Sequence, residues 1–280
     1  MSSKIEWTDE TWNPVTGCTK VSPGCDHCYA ATWAARKMGQ WADRDFGTVV
    51  CHEDRLLAPL SRRKPTRYFV NSMSDLFHKD VPDEFIRQVF ITMGCTQRHT
   101  FQVLTKRPER MRRWVRDFYG PGGKNELRDP ADPISNAWLG VSVESNDYAW
   151  RADMLRETPA AVRFLSIEPM LGPVDKVSFE GIDWVIVGGE SGHGARPMHP
   201  AWVRDVQDRC AWDNIPFFFK QWGRWAPVGD DRDVREASKT LVIGDNPMMD
   251  QDDIVFGFSK ASAGRMIDGR TWDEFPAVRA

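Results

Sequence analysis

The sequence predicts an α/β fold built on a parallel (β/α) barrel, full or partial. Short β-branched and aromatic runs recur along the chain, and most are followed by a stretch of helical periodicity. The runs are apolar nearly throughout instead of alternating, as strands covered on both faces require. Strand–helix repeats of this kind join through right-handed crossovers into a parallel sheet. An open doubly wound sheet is the competing arrangement.

Taken in order, a first strand is expected before Cys18. A run at 68–73 precedes a helix at Asp83–Gly94, and a run at 101–105 precedes a helix at 108–118, where Pro108 suits the first turn. A run at 138–143 leads to a helix at 148–157, whereas the run at 163–168 leads into a Pro/Gly loop with little helix. Trp184–Gly188 precedes Pro200–Asp213, and 216–220 closes the series. Residues 120–136 read as a loop insertion and 228–247 as an acidic, Gly/Pro-punctuated excursion. The expected organisation is a barrel over residues 1–225, carrying an N-terminal cysteine loop, with residues 226–280 as an extension packed on it.

Composition narrows the function classes. The apolar fraction of 41% and charged fraction of 28% are those of an ordinary globular protein. No apolar run reaches the length of a membrane span, and the opening residues lack the apolar core of a secretory signal. The expectation is a cytoplasmic protein, where thiols stay reduced and grouped cysteines point to metal instead of disulfides. A net charge of −3 excludes a polycation field over the whole chain. The basic helical segment 106–116 is the exception, either a solvated face or one that contacts phosphate.

Three cysteines, Cys18, Cys25 and Cys28, lie within eleven residues. A closed zinc site wants four ligands, and iron–sulfur clusters are usually held by four thiolates. Three thiolates on one loop can hold three corners of a [4Fe–4S] cube and leave one iron open to a small molecule, as a radical S-adenosylmethionine (SAM) enzyme needs. A Cys3His zinc site using His27, and a loop with no metal, stay open beside that reading. Gly17 and Gly24 let the backbone curl around a compact group. Of the other cysteines, Cys95 and Cys210 are expected to be buried apolar residues, and Cys51, beside His52, is a lesser candidate for the metal.

In parallel α/β folds the site lies at the carboxyl ends of the strands. The polar residues there are Asn71, Ser72, Ser74 and Asp75; Thr105 and Lys106; Ser142, Glu144 and Ser145; Glu168; Glu190 and Ser191; and Lys220, Gln221 and Trp222. Glu144, Glu168, Glu190 and Lys220 are the catalytic candidates among them.

The segment Ile5-Glu-Trp-Thr-Asp-Glu-Thr-Trp-Asn-Pro-Val-Thr-Gly-Cys18, with Ser22-Pro-Gly-Cys-Asp-His-Cys-Tyr-Ala30, resembles the phage and bacterial three-Cys-motif family, which has no assigned reaction. Val187-Gly-Gly-Glu-Ser-Gly192 and Phe217-Phe-Phe-Lys-Gln-Trp-Gly223 extend the likeness along the chain. That family is in turn similar to radical SAM enzymes, distantly including spore photoproduct lyase. The usual radical SAM loop is Cys-x3-Cys-x-aromatic-Cys. Here six residues separate Cys18 from Cys25, whereas Cys25-Asp-His-Cys28 fits the second half.

The resemblance implies a [4Fe–4S] cluster on the three cysteines and bound SAM. It places His27 by the adenine, Ser72 and Ser74 at the amino group, Lys106 at the carboxylate, and Ser142 and Glu144 at the ribose. It further implies reductive cleavage of SAM and hydrogen abstraction from a substrate, with a reductant protein as partner. The basic helix, with Trp222 and Trp225, suits a nucleotide or nucleic-acid substrate. Two other functions remain: a zinc-stabilised nucleic-acid-binding protein, and a metal-independent barrel hydrolase using the glutamates as general acid and base.

Overall fold

Most strands of the main sheet are apolar on both faces, and each lies beside the strand that precedes it in the series. In the computed structural model, which describes residues 5–120, 132–229, 232–243 and 254–277, seven strands form one sheet. They are β1 (Glu10–Trp12), β4 (Arg67–Val70), β5 (Thr100–Thr105), β6 (Ala137–Ser142), β7 (Val162–Ile167), β8 (Trp184–Gly188) and β9 (Phe217–Gln221), in that spatial order. The short strands β2 (Val15–Thr16) and β3 (Val50–Cys51) pair antiparallel outside it. The pairings β1–β4, β4–β5, β5–β6 and β8–β9 are parallel. A doubly wound sheet reverses direction at a switch point; this order runs one way from β1 to β9 and leaves both as edges, so the fold is a partial parallel barrel.

The chain divides into two compact units, 1–142 with 153–164, and 143–152 with 165–277. In the first, α1 (Tyr29–Ala34) follows the cysteine loop, and α2 (Glu53–Leu56) and α3 (Ala58–Ser61) precede β4. Helix α4 (Asp83–Gly94) buries Phe85, Ile86, Val89, Phe90 and Met93, one stripe at helical spacing, and carries Asp83 and Glu84 at its positive end. Helix α5 (Pro108–Tyr119) starts on Pro108 and buries Met111, Trp114, Val115 and Phe118. Trp114 stacks on Phe118 at 5.0 Å and meets Phe90 at 4.7 Å, which locks the two helices together. Cys95 is exposed, contrary to expectation: it caps α4, one residue beyond the helix's last residue, Gly94. Residues 121–131 of the expected insertion lie outside the described residues.

In the second unit, α6 (Trp150–Arg156) straddles the division, and no helix separates β7 from β8. Helix α7 (Pro200–Asp213) is capped by His199, whose Nδ1 accepts from the Ala201 amide at 3.1 Å, and ends on Asn214 in the left-handed region. Cys210 is buried in this helix. The C-terminal residues run along β9: the Phe219 amide donates to the Trp272 carbonyl and Trp184 Nε1 to that of Glu274. Residues 230–231 and 244–247 of the expected excursion are outside the described residues.

Candidate functional site

The cysteine loop leaves the sheet at its carboxyl edge because its first residues are fastened to the turn after β4. Asn13 Oδ1 accepts from the Met73 amide at 3.0 Å and from Ser72 Oγ at 3.2 Å. Asn71, with φ 61°, turns its Oδ1 onto the Val15 amide at 3.1 Å, and Ser74 Oγ donates to the Val15 carbonyl at 2.8 Å. Gly17 then bridges Ser74 in parallel and donates to the Met73 carbonyl at 3.0 Å. Its φ is +96°, and a Cβ there would lie 2.1 Å from the Thr48 carbonyl oxygen, so only glycine fits.

Beyond Gly17, the Cys18 amide donates to the Phe46 carbonyl at 2.8 Å. Pro23–Cys25 forms a tight turn, and Cys28 sits at the start of α1. The Tyr29 hydroxyl donates to the Ser72 carbonyl, tying α1 back to the same turn. Cys18, Cys25 and Cys28 are all free thiols of intermediate exposure.

A charged clamp holds the first cysteine. Arg107, between the end of β5 and the start of α5, reaches back across the loop. One Nη lies 3.4 Å from Cys18 Sγ and 2.9 Å from Asp75 Oδ2; the other donates to the Thr19 carbonyl at 2.9 Å and to Thr19 Oγ1 at 3.1 Å. Asp75 is equally fixed, accepting from Thr105 Oγ1 at 2.7 Å and from the amides of Phe77 and Lys106 at 2.9 and 3.1 Å. His78, wholly buried, completes the cradle. Its Nδ1 accepts from the Asp80 amide at 3.2 Å, which assigns the proton to Nε2, 2.8 Å from Thr19 Oγ1.

The electrostatics follow from this packing. Burial, reinforced by the Asp75 charge and opposed by Arg107, pushes the Cys18 thiol up to about 11. Burial works against the Arg107 charge, but Asp75 and Cys18 more than offset it and leave its pKa raised. Burial also lowers the His78 pKa and keeps the ring neutral.

Among the described residues, no three His, Cys, Asp or Glu side chains are gathered as a metal-binding group. What fits an iron–sulfur cluster is the donor chemistry: three free thiols on one loop, with Cys25 near enough to act on the charge of Cys18. The other residues expected there are spread about the first unit. Ser72 and Ser74 bond within the loop base, the Lys106 amide holds Asp75, His27 is exposed, and Ser142 is buried at the end of β6. Cys51 is held in β3 opposite Val15.

The glutamates belong to the second unit, and each is committed to a cation. Glu144 is wholly buried against Arg151 at 2.9 Å, Glu168 meets Lys220 at 3.0 Å, and Glu190 takes Arg196 at 2.6 Å. Glu144 thus forms its ion pair inside the core of that unit. Gly188 makes room for Glu168, whose Oε1 would stand 2.6 Å from a Cβ there.

The features read as suited to a nucleic-acid partner make contacts within the fold. Of the arginines of the basic segment, Arg107 pairs with Asp75, Arg110 with Asp83, and Arg112 and Arg116 both with Glu157. Trp222 is buried with its Nε1 on the Met266 carbonyl, and Trp225 Nε1 is held by the Ala195 carbonyl. Sequence reasoning missed the clamp, because it read Arg107 as part of a helix face. The usable signal was an arginine placed between a strand end and the proline that opens a helix.

Comparison with solved structures finds spore photoproduct lyase complexed with dinucleoside spore photoproduct, at 12% identity and TM-score 0.43, covering 89% of this chain and 68% of that one. A cysteine-to-serine mutant of the lyase aligns at 13% identity and TM-score 0.44, over 94% and 72% of the two chains. Another mutant, with bound AdoMet and dinucleoside spore photoproduct, aligns at 12% and 0.43, over 90% and 69%. No curated protein matches the chain. The family model described as "Protein of unknown function (DUF5131)" matches residues 2–276, and the chain belongs to that family.

Proposed function

We propose that the chain is a radical SAM-type enzyme that holds a [4Fe–4S] cluster on Cys18, Cys25 and Cys28 and leaves the fourth iron for SAM. The observation that carries this reading is the loop itself: three free thiols at the carboxyl edge of a parallel sheet, the first docked against a buried arginine–aspartate pair. When bound, the cluster would supply an electron that breaks a C–S bond of SAM, giving methionine and a 5′-deoxyadenosyl radical that takes hydrogen from a substrate.

The chain's own residues would bind and orient. Ser72 and Ser74 stand at the loop base, where hydroxyl and backbone groups can receive the SAM amino group, and Lys106 offers a cation for its carboxylate. Ser142 ends the fourth strand of the series as a ribose contact, and His27 is the adenine-side residue of the loop. Glu168, Lys220 and Glu190 are proposed as substrate-side groups of the second unit, their charges balanced within ion pairs. The electron comes from an external one-electron reductant, a partner protein in the cell.

Anaerobic reconstitution of the full chain tests the reading. The expected result is about four iron and four sulfide per chain for a cubane cluster, a brown absorption band, and dithionite-dependent 5′-deoxyadenosine from SAM. Alanine at any of the three cysteines should abolish all three. A folded protein that takes up neither iron nor sulfide overturns it.

A further inference from the structure

We propose that Arg107 is the positioning residue of the cysteine loop: it presets Cys18 as the first ligand and, once a cluster is bound, raises its reduction potential through an N–H bond to the Cys18 sulfur. The ligand role and the tuning rest on the cluster reading above; the fixing of Cys18 in the loop does not.

The geometry separates Cys18 from its two companions. Cys18 lies between a backbone bond to Phe46 and the guanidinium 3.4 Å from its sulfur, whereas Cys25 closes a short turn and Cys28 starts a six-residue helix. The guanidinium is itself held rigidly. Asp75 takes it at 2.9 Å, Thr105 Oγ1 accepts the Arg107 amide at 2.9 Å, and Pro108 fixes the chain that follows. Its second Nη holds Thr19 by both carbonyl and hydroxyl, and His78 takes the same hydroxyl from the other side. Residues 18 and 19 are thus fixed before any ligand arrives. The arginine side chain is only 14% exposed, so its charge acts at short range with little screening.

A cluster gains one negative charge on reduction. A fixed cation and N–H donor at a ligating sulfur stabilise the reduced form more than the oxidised one, and so raise the potential. Lysine would keep the charge but lose the planar fork that bonds sulfur, Asp75 and Thr19 together.

The test uses the full chain as wild type, Arg107→Gln and Arg107→Lys. In metal-free protein, hydrogen–deuterium exchange of residues 17–28 reports the pin. Arg107→Gln should speed exchange roughly tenfold, the change that losing about 1.4 kcal/mol produces, and Arg107→Lys should do so nearly as much. In reconstituted protein of equal iron content, a redox titration followed by electron paramagnetic resonance reports the tuning. Arg107→Gln should shift the midpoint negative, with Arg107→Lys between it and wild type. A purely structural arginine would alter exchange but not the potential. Unchanged exchange overturns the positioning role, and an unchanged potential at full loading overturns the tuning role. A wild type that never loads, with a loop that still loosens in Arg107→Gln, overturns the cluster reading and supports the pin.

Discussion

Glu144→Gln should be among the most costly single-atom changes in the second unit. The Glu144 and Arg151 side chains are 1% and 2% exposed, and their charges meet at 2.9 Å. At an effective dielectric near 20, opposite unit charges at that spacing attract by about 6 kcal/mol before desolvation is counted. Removing one partner of a buried pair leaves the other uncompensated, at a typical cost of about 3–5 kcal/mol. Arg151 also lies over the Tyr148 ring at 4.3 Å, so it is held in place after the charge is lost. Glutamine keeps the shape and one acceptor, which puts the expected loss at the lower end, about 3 kcal/mol. The assay is urea unfolding followed by tryptophan fluorescence, with m unchanged as the sign that only stability moved. Combining Glu144→Gln with Arg151→Met should cost less than the two singles summed, by about 2 kcal/mol. A Glu144→Gln loss below about 1 kcal/mol, or strict additivity, would refute a buried, mutually dependent pair.

Further outcomes follow from the same structure. Gly17→Ala must accept φ near +96° and a Cβ against the Thr48 carbonyl, so it should lose about 2–4 kcal/mol and bind less iron on reconstitution; an alanine variant of wild-type stability would contradict the geometry. His78 and His99 are buried, and burial lowers both pKa values. A depressed folded pKa means the unfolded chain takes up protons first, so stability should be full above the unfolded value near 6.5 and fall as pH drops below it. His99→Gln should flatten that fall, and a denaturation midpoint constant from pH 7.5 to 5.5 would rule the effect out.

The framework was legible in the sequence because its signals are local. Buried strands give unbroken apolar runs, and the proline before Glu109 and the one before Ala201 mark helix starts that the structure reproduces. The loop's place after the first strand was equally readable. What holds the loop was not. Arg107 and Asp75 are 32 residues apart, and no periodicity announces a pairing set by the way β4 and β5 lie side by side. The ion pairs of the basic helix were illegible for a similar reason: its carboxylates come from Asp83 and Glu157, both remote in sequence. Cys95 misled because the helical pattern was read one residue past Gly94, where the helix ends.

The clamp joins residues 89 apart, and this separates the making of the cysteine loop from its fastening. At ordinary translation rates the ribosome needs on the order of 5–20 s to travel from Cys18 to Arg107. Through that interval Cys18 lacks the arginine, the aspartate and the sheet edge that later shield it, and it meets solvent as an ordinary thiol. Oxidants and adventitious metals therefore compete for the loop most effectively on the nascent chain. Growth under low oxygen with ample iron should protect the protein during synthesis to a degree that the same treatment of the finished fold does not.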